Sequence, residues 1–203
     1  LSSTLVIDTD VAVLGPGPDQ LTVMRSDAAG TPEFRVFLVE NGVVTLAGMT
    51  IRNGSAYSGT HLHDNLGGGI LNQGILTVSN CVVTGNHAPT TDWPGYTPDV
   101  SLGYGAGIFS YPDSQLAILN STISDNQASG AGGALCTWYA KSYSASGCTF
   151  AGNFAEVQGG ALNLQGRTGA FRNCTLTGNA TAPDGLGSAF VQIAFSGEGA
   201  ACA

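Results

Sequence analysis

Charge is scarce in this chain: ten per cent of its 203 residues are Asp, Glu, Lys or Arg. The basic residues are Arg25, Arg35, Arg52, Lys141, Arg167 and Arg172, spread along the whole length. The net charge is −8, which makes nucleic acid and anionic membrane surfaces poor partners. Lys141, with Glu33, Glu40, Glu156 and Glu198, supplies too few long charged side chains to coat surface helices. No apolar run reaches about 18 residues, so no segment reads as a helix inserted in a membrane. The five cysteines, Cys81, Cys136, Cys148, Cys174 and Cys202, contain no C-x-x-C spacing, which argues against a structural zinc site. The chain has no initiating Met and no signal peptide. It opens at Leu1 inside a strand-like apolar pattern, and so reads as a mature or excised piece.

Glycine, by contrast, is plentiful, with 30 residues, and it falls at regular places. Residues 159–182 read GGALNLQGRTGAFRNCTLTGNATA. Variations on this stretch occupy 132–155 (GGALCTWYAKSYSASGCTFAGNFA), 105–128 (GAGIFSYPDSQLAILNSTISDNQA) and 67–88 (GGGILNQGILTVSNCVVTGNHA). Each copy opens on a small-residue turn and an apolar pair. Each carries a seven-residue phrase closing on Asn: Asn86, Asn126, Asn153 and Asn179. Self-similarity at a fixed spacing is the mark of a solenoid.

The period within each copy selects the kind of solenoid. In Cys174-Thr175-Leu176-Thr177 apolar and polar residues alternate, as on a strand, and no 3.6-residue apolar period appears. Three short strands and three turns fill one copy. The chain is therefore predicted to be all-β, a single-stranded parallel β-helix (β-solenoid) of about seven rungs, right-handed as the resemblance given below implies. At the usual strand spacing it is about 34 Å long. Residues 1–203 read as a single domain. The first rung is divergent, over 1–26, with strands at Leu5-Val6-Ile7, Val11 to Leu14 and Leu21-Thr22-Val23. The second covers 34–54 and turns at Asn41-Gly42.

Aligning the copies predicts the columns. Ile51, Val83, Ile123, Phe150 and Leu176 form one inward column. Ile70, Ile108, Ala134, Ala161 and Ala189 form a second, each followed by Leu71, Phe109, Leu135, Leu162 and Phe190. The four closing Asn residues are structural. Asn tolerates the left-handed backbone of a sharp bend, and stacked amides satisfy one another along the axis. Gly54 takes the Asn position in the second rung. Met49, Cys81, Ser121, Cys148 and Cys174 share another column. It reads as a buried ladder of small side chains; the alternative is an inter-rung Cys148–Cys174 disulfide.

Two insertions, at 55–66 and 87–104, interrupt the repeat at the same corner of consecutive rungs. They are expected side by side on one edge, the usual place for a binding surface. Their chemistry-bearing residues are His61, His63, Asp64, Asp92, Trp93, Tyr96, Asp99 and Tyr104. All three histidines, His87 included, fall in or at these loops. His61 and His63 project the same way if their segment is extended, so with Asp64 or Asp92 they are a candidate site for a divalent cation; otherwise the loop is a solvated polar segment. No other cofactor is implied. Trp93 and Tyr96 suit sugar rings, or else pin the long loop to the coil.

The GGAL…F-x-x-N phrase, Gly132 to Leu135 with Phe150 and Asn153, resembles the repeat of chlamydial polymorphic outer-membrane proteins. The wider run, from VAVLGPGPDQLTV through VVTLAGMTIRNG to GGGILNQGILTVSNCVVTGN, resembles bacterial secreted right-handed parallel β-helix proteins of adhesin type. The resemblance implies a secreted or cell-surface location and a structural or adhesive role, and the inserted loops make a polysaccharide or cell-surface glycan the expected partner. A polysaccharide lyase or hydrolase is the enzyme alternative. The chain lacks the Asp-Asp pair and the Gly-His-Gly phrase of polygalacturonases, and its basic residues are scattered, so the balance is against an enzyme. Partial threonine columns (Thr122 with Ser124, Thr149, Thr175 with Thr177) offer an ice-binding face, which Arg52, Val82 and Ala151 interrupt. The apolar first rung offers a further partner: a second copy stacking end to end into a filament.

Overall fold

The computed structural model describes residues 1–56, 64–90, 102–187, 190–193 and 201–202. Strands and turns occupy them, with no helix among the described residues. Four parallel sheets run along one axis. The first gathers Leu5–Ile7, Phe37–Val39, Ile70–Asn72, Ile108–Ser110, Leu135–Ala140, Leu162–Gly166 and Phe190–Ile193. The second gathers Val11–Leu14, Val43–Ala47, Ile75–Ser79, Gln115–Leu119, Ser142–Ser146, Gly169–Arg172 and Ala201–Cys202. Thr22–Met24, Thr50–Arg52, Val82–Thr84, Thr122–Ser124, Thr149–Ala151 and Thr175–Thr177 make the third. Each strand pairs with its equivalents one rung away, which is a parallel β-helix of about seven rungs, as the repeat predicts.

The expected three strands per rung become four. His87–Ala88, Gln127–Ala128, Phe154–Ala155 and Ala180–Thr181 form a short fourth sheet just after the Asn column. Ala88, Ala128 and Ala155 are fully buried there, with Ala56 and Ala106.

The inward column Ile51, Val83, Ile123 and Phe150 is completely buried. Leu176 departs from it at 37% exposure, because Thr175–Thr177 is the edge strand of the third sheet and has no following rung across it among the described residues. The second column needs a one-residue correction. Ile70, Ile108, Leu135, Leu162 and Phe190 share a register, in place of the expected set through Ala134, Ala161 and Ala189. The glycines explain why. Gly67, Gly105, Gly132, Gly159 and Gly187 all sit at φ of 59–66°, and the strand starts three residues later in every rung. A Cβ on Gly132 would lie 2.4 Å from the Leu135 carbonyl oxygen, so this entry turn is closed to other residues. Leu71, Phe109 and Cys136, one step on, therefore point away from the main core.

The Asn column also needs a change of role. The left-handed residue is the one before each closing Asn, at Gly85, Asp125, Gly152 and Gly178, and before Gly54 in the second rung, at Asn53. A second left-handed column lies at the bend entering the third sheet, at Gly48, Asn80, Asn120, Gly147 and Asn173. The closing Asn residues act through their amides instead. Nδ2 of Asn86 donates to Oδ1 of Asn126 at 3.0 Å, Asn126 to Asn153 at 3.0 Å, and Asn153 to Asn179 at 2.9 Å. The second N–H of each reaches the rung before, at the carbonyls of Ile51, Val83, Ile123 and Phe150. Each Oδ1 of Asn126, Asn153 and Asn179 also accepts the backbone N–H of the preceding ladder Asn. Gly54, at the Asn position of the second rung, donates its N–H to Asn86 Oδ1 at 2.9 Å. Buried amides stay in a core only when paired in this way.

The cysteine column is a ladder of free thiols. Met49, Cys81 and Cys148 are buried, Ser121 sits between the last two, and Cys174 is half-buried. Burial pushes the Cys81 and Cys148 thiols up.

Candidate functional site

Parallel sheets are usually covered on both faces. In this coil the inner face of the first sheet meets the main core, and its outer face carries a second apolar layer. Leu71, Phe109 and Cys136 stand on successive rungs of that face and are buried by Leu66, with Leu38, Tyr104, Tyr111 and Trp138 packed around them. The ring of Trp138 lies 5.1 Å from that of Tyr104 and 5.3 Å from that of Phe109, the latter edge-on. Phe109 and Tyr111 are 6.2 Å apart. Tilted and edge-on contacts at these distances are the favourable aromatic geometries. Burial of Cys136 drives its thiol pKa far above the ordinary value, so this sulfur acts as an apolar filler.

Both insertions are rooted on this face. Leu66 and Tyr104 pair with each other in a parallel bridge, and the Gly67 N–H donates to the Tyr104 carbonyl at 3.0 Å. The Tyr104 N–H reaches the Asn65 carbonyl at 3.2 Å, and the Asn65 amide donates to the Leu102 carbonyl. Arg35 braces the first insertion from below. Its guanidinium donates to the carbonyls of Asp64 at 2.9 Å and Leu66 at 3.3 Å. Burial pushes the Arg35 pKa down, and the Asp64 charge opposes that. Ser129 Oγ accepts the Gly103 N–H at 2.8 Å and holds the end of the second insertion. The C-terminal ends of the two insertions, residues 64–66 and 102–104, are thus in direct contact.

The insertions are shorter than their sequence boundaries. Ser55 bridges to His87, and His87–Ala88 is a strand of the fourth sheet, so these residues belong to the coil. Of the residues singled out from sequence, Asp64 and Tyr104 lie on this face. His61, His63, Asp92, Trp93, Tyr96 and Asp99 fall outside the described residues, and the candidate cation site falls with them. No cluster able to hold a metal ion occurs among the described residues.

Sequence reasoning passed over Trp138 and Tyr111, which form much of the aromatic layer. The available signal was the pairing of Phe109 with Cys136 and Leu71, which appears only once the glycine turns are aligned. Trp138 lies in an irregular strand: pairing with Leu162–Gly166 slips between Thr137 and Ala140, and Tyr139 takes φ of 47°. A β-bulge of this kind re-aims side chains at a sheet rim. Beside it, at the corner between the first and second sheets, an open groove of about 340 Å³ is lined by Asn41, Gln73, Asp113, Gln115 and Lys141, with Val43 and Ile75. Asp113 pairs with Arg167 at 3.0 Å, both largely exposed, which contributes little to stability.

A family model, the Chlamydia polymorphic membrane protein repeat, matches residues 120–137. The matched stretch runs from the left-handed Asn120 through the ladder residue Asn126 and the entry glycine Gly132 to Thr137 of the first sheet. It is the part of one rung that leads from the third sheet, past the fourth, into the first, and it includes the Gly132 to Leu135 phrase on which the resemblance rests. No curated protein and no solved structure matches the chain.

Proposed function

We propose that this chain is an adhesin-like β-solenoid module of a cell surface. Its binding face is the outer side of the first sheet together with the two insertions, and glycans are its ligand class. The repeat similarity supports the surface and adhesive reading. The observation that carries the placement is the joined root of the two insertions, the Leu66–Tyr104 bridge standing over the aromatic layer of Phe109, Tyr111 and Trp138. Rigid β-scaffolds commonly present function on loops in this manner. The half-buried rings of Tyr104, Tyr111 and Trp138, supported by the fully buried Phe109 and with amide and carboxylate neighbours, suit sugars, whose C–H faces stack and whose hydroxyls both donate and accept. The amides of Asn41, Gln73 and Gln115 and the carboxylate of Asp113 line the adjacent groove.

The test is a glycan-array screen of the purified chain followed by titration of the best hit. Replacing Trp93 and Tyr96 together by Ala should weaken binding by about tenfold or more, the scale of an aromatic anchor, with the thermal unfolding curve retained. Binding that survives the double change would remove the loops from the site. Release of unsaturated or reducing-end products from acidic polysaccharides would mark an enzyme instead. Scattering mass that grows with protein concentration would point to end-to-end assembly.

A further inference from the structure

In the column leading into the third sheet, Ser121 separates Cys81 from Cys148, so Cys148 and Cys174 are directly stacked thiols. Thr149 and Thr175 share a register, and the Thr175 N–H donates to the Cys148 carbonyl at 2.9 Å. The two cysteines therefore stack side by side, one rung step of about 4.8 Å apart. That step lies within the Cα separation a disulfide spans, about 4.4–6.8 Å. Only weak contacts hold them: Cys148 Sγ lies 3.3 Å from the Ile118 and Ser146 carbonyl oxygens, and Cys174 Sγ lies 3.5 Å and 3.3 Å from those of Ala145 and Arg172. Turning both side chains toward each other gives up little.

The position gives the pair a purpose. Thr175–Thr177 is the edge strand of the third sheet, and all three of its residues are exposed. Its neighbour Thr149–Ala151 holds the fully buried Phe150. A link between Cys148 and Cys174 ties the least covered strand of this sheet to a well covered one.

We propose that Cys148 and Cys174 are a redox staple, closed by thiol–disulfide exchange with an external disulfide. Cys174 is the more exposed thiol and reacts first. Its thiolate attacks one sulfur of the oxidant, breaks the S–S bond and expels one oxidant thiolate. The Cys148 thiolate then attacks the Cys174 sulfur of the mixed disulfide and expels the second. Two protons leave the protein thiols, two electrons pass to the oxidant, and the oxidant disulfide becomes two thiols. Cys81 and Cys136 are buried beside no stacked thiol and stay reduced: Cys81 faces Ser121, and Cys136 faces Phe109 and Asn163. The staple rests on the coil geometry alone and is independent of the binding-face reading.

The test uses the full chain incubated with oxidised glutathione, then proteolysed without reductant and analysed by mass spectrometry. The expected product is a Cys148–Cys174 cross-linked peptide pair lighter by two hydrogens. Hydrogen exchange at Thr175–Thr177 should slow by between about thirtyfold and about a thousandfold, the range that closing such a loop implies. Cys174→Ser should show neither change. A lasting glutathione adduct on Cys174, a cross-link from Cys174 to Cys202 or to a second molecule, or both thiols remaining open to alkylation would overturn the proposal. If Cys174→Ser does not fold, the peptide map of the unsubstituted chain decides by itself.

Discussion

Asn126 shows how much one side chain does in this coil. It accepts from the Nδ2 and backbone N–H of Asn86 and donates to Asn153 Oδ1 and the Val83 carbonyl. It is fully buried, so no water can replace it. Asn126→Ala leaves two donors on Asn86 unpaired and takes one hydrogen bond each from Asn153 Oδ1 and the Val83 carbonyl, at about 1–3 kcal/mol for each buried group stranded. The expected loss is about 3 kcal/mol or more by urea denaturation. Asn179 ends the described ladder and is only half-buried, so Asn179→Ala should cost about 1 kcal/mol. Equal costs at the two positions would mean that the amides do not act as a ladder. The buried thiols of Cys81 and Cys136 fit the same picture: burial favours their neutral form, and they serve as packing.

At the scale of the element, each rung is specified by its bends more than by its strands. Three columns of left-handed residues recur: Gly105, Gly132 and Gly159 at the entry to the first sheet, Asn120 and Gly147 before the third, Asp125 and Gly152 after it. Two of these columns accept Asn or Asp, whereas the entry column is glycine in every rung where it occurs. The difference is steric. An added Cβ at Gly85 meets nothing, while at Gly105, Gly132 and Gly159 it would strike a backbone carbonyl oxygen at 2.5 Å or less. Gly132→Ala should therefore destabilise the coil by about 2 kcal/mol or more, combining left-handed strain with a backbone clash. Gly85→Asn should stay within about 1 kcal/mol of the parent. Thermal unfolding of the two variants distinguishes them, and a tolerated Gly132→Ala would show that the entry turn can move.

Across the whole molecule, each rung touches only its neighbours, so stability adds up locally along the axis. Burial falls away at both ends of the described coil. Val6 and Leu14 are 54% and 72% exposed in the first rung, and Thr175, Leu176 and Thr177 are all exposed in the sixth. Amide exchange should therefore be slowest at Ile108–Ser110 and Thr122–Ser124 and fastest at Leu5–Ile7 and Thr175–Thr177. One uniform rate across these strands would indicate all-or-none opening and contradict the nearest-neighbour picture. This architecture also explains why the insertions sit where they do. A loop leaving the corner before the first sheet disturbs no stacked strand, so the coil holds its shape.

The sequence alone determined the fold class, the rung count, the Asn and thiol ladders and the common corner of the insertions. Each of these is a local rule repeated at a fixed spacing, so one copy checks the next. The register of the first sheet was within reach, since GGGI, GAGI and GGAL align without a gap; it follows from the rule that the entry glycine must be left-handed. The aromatic layer was decided only by the tertiary structure. Tyr104 comes from the end of an insertion, Phe109 and Tyr111 from one rung and Trp138 from the next, beside a bulge that the repeat does not encode. Their meeting depends on chain segments that stack across rungs, and residues 34 positions apart carry no mutual signal until the coil has closed around them.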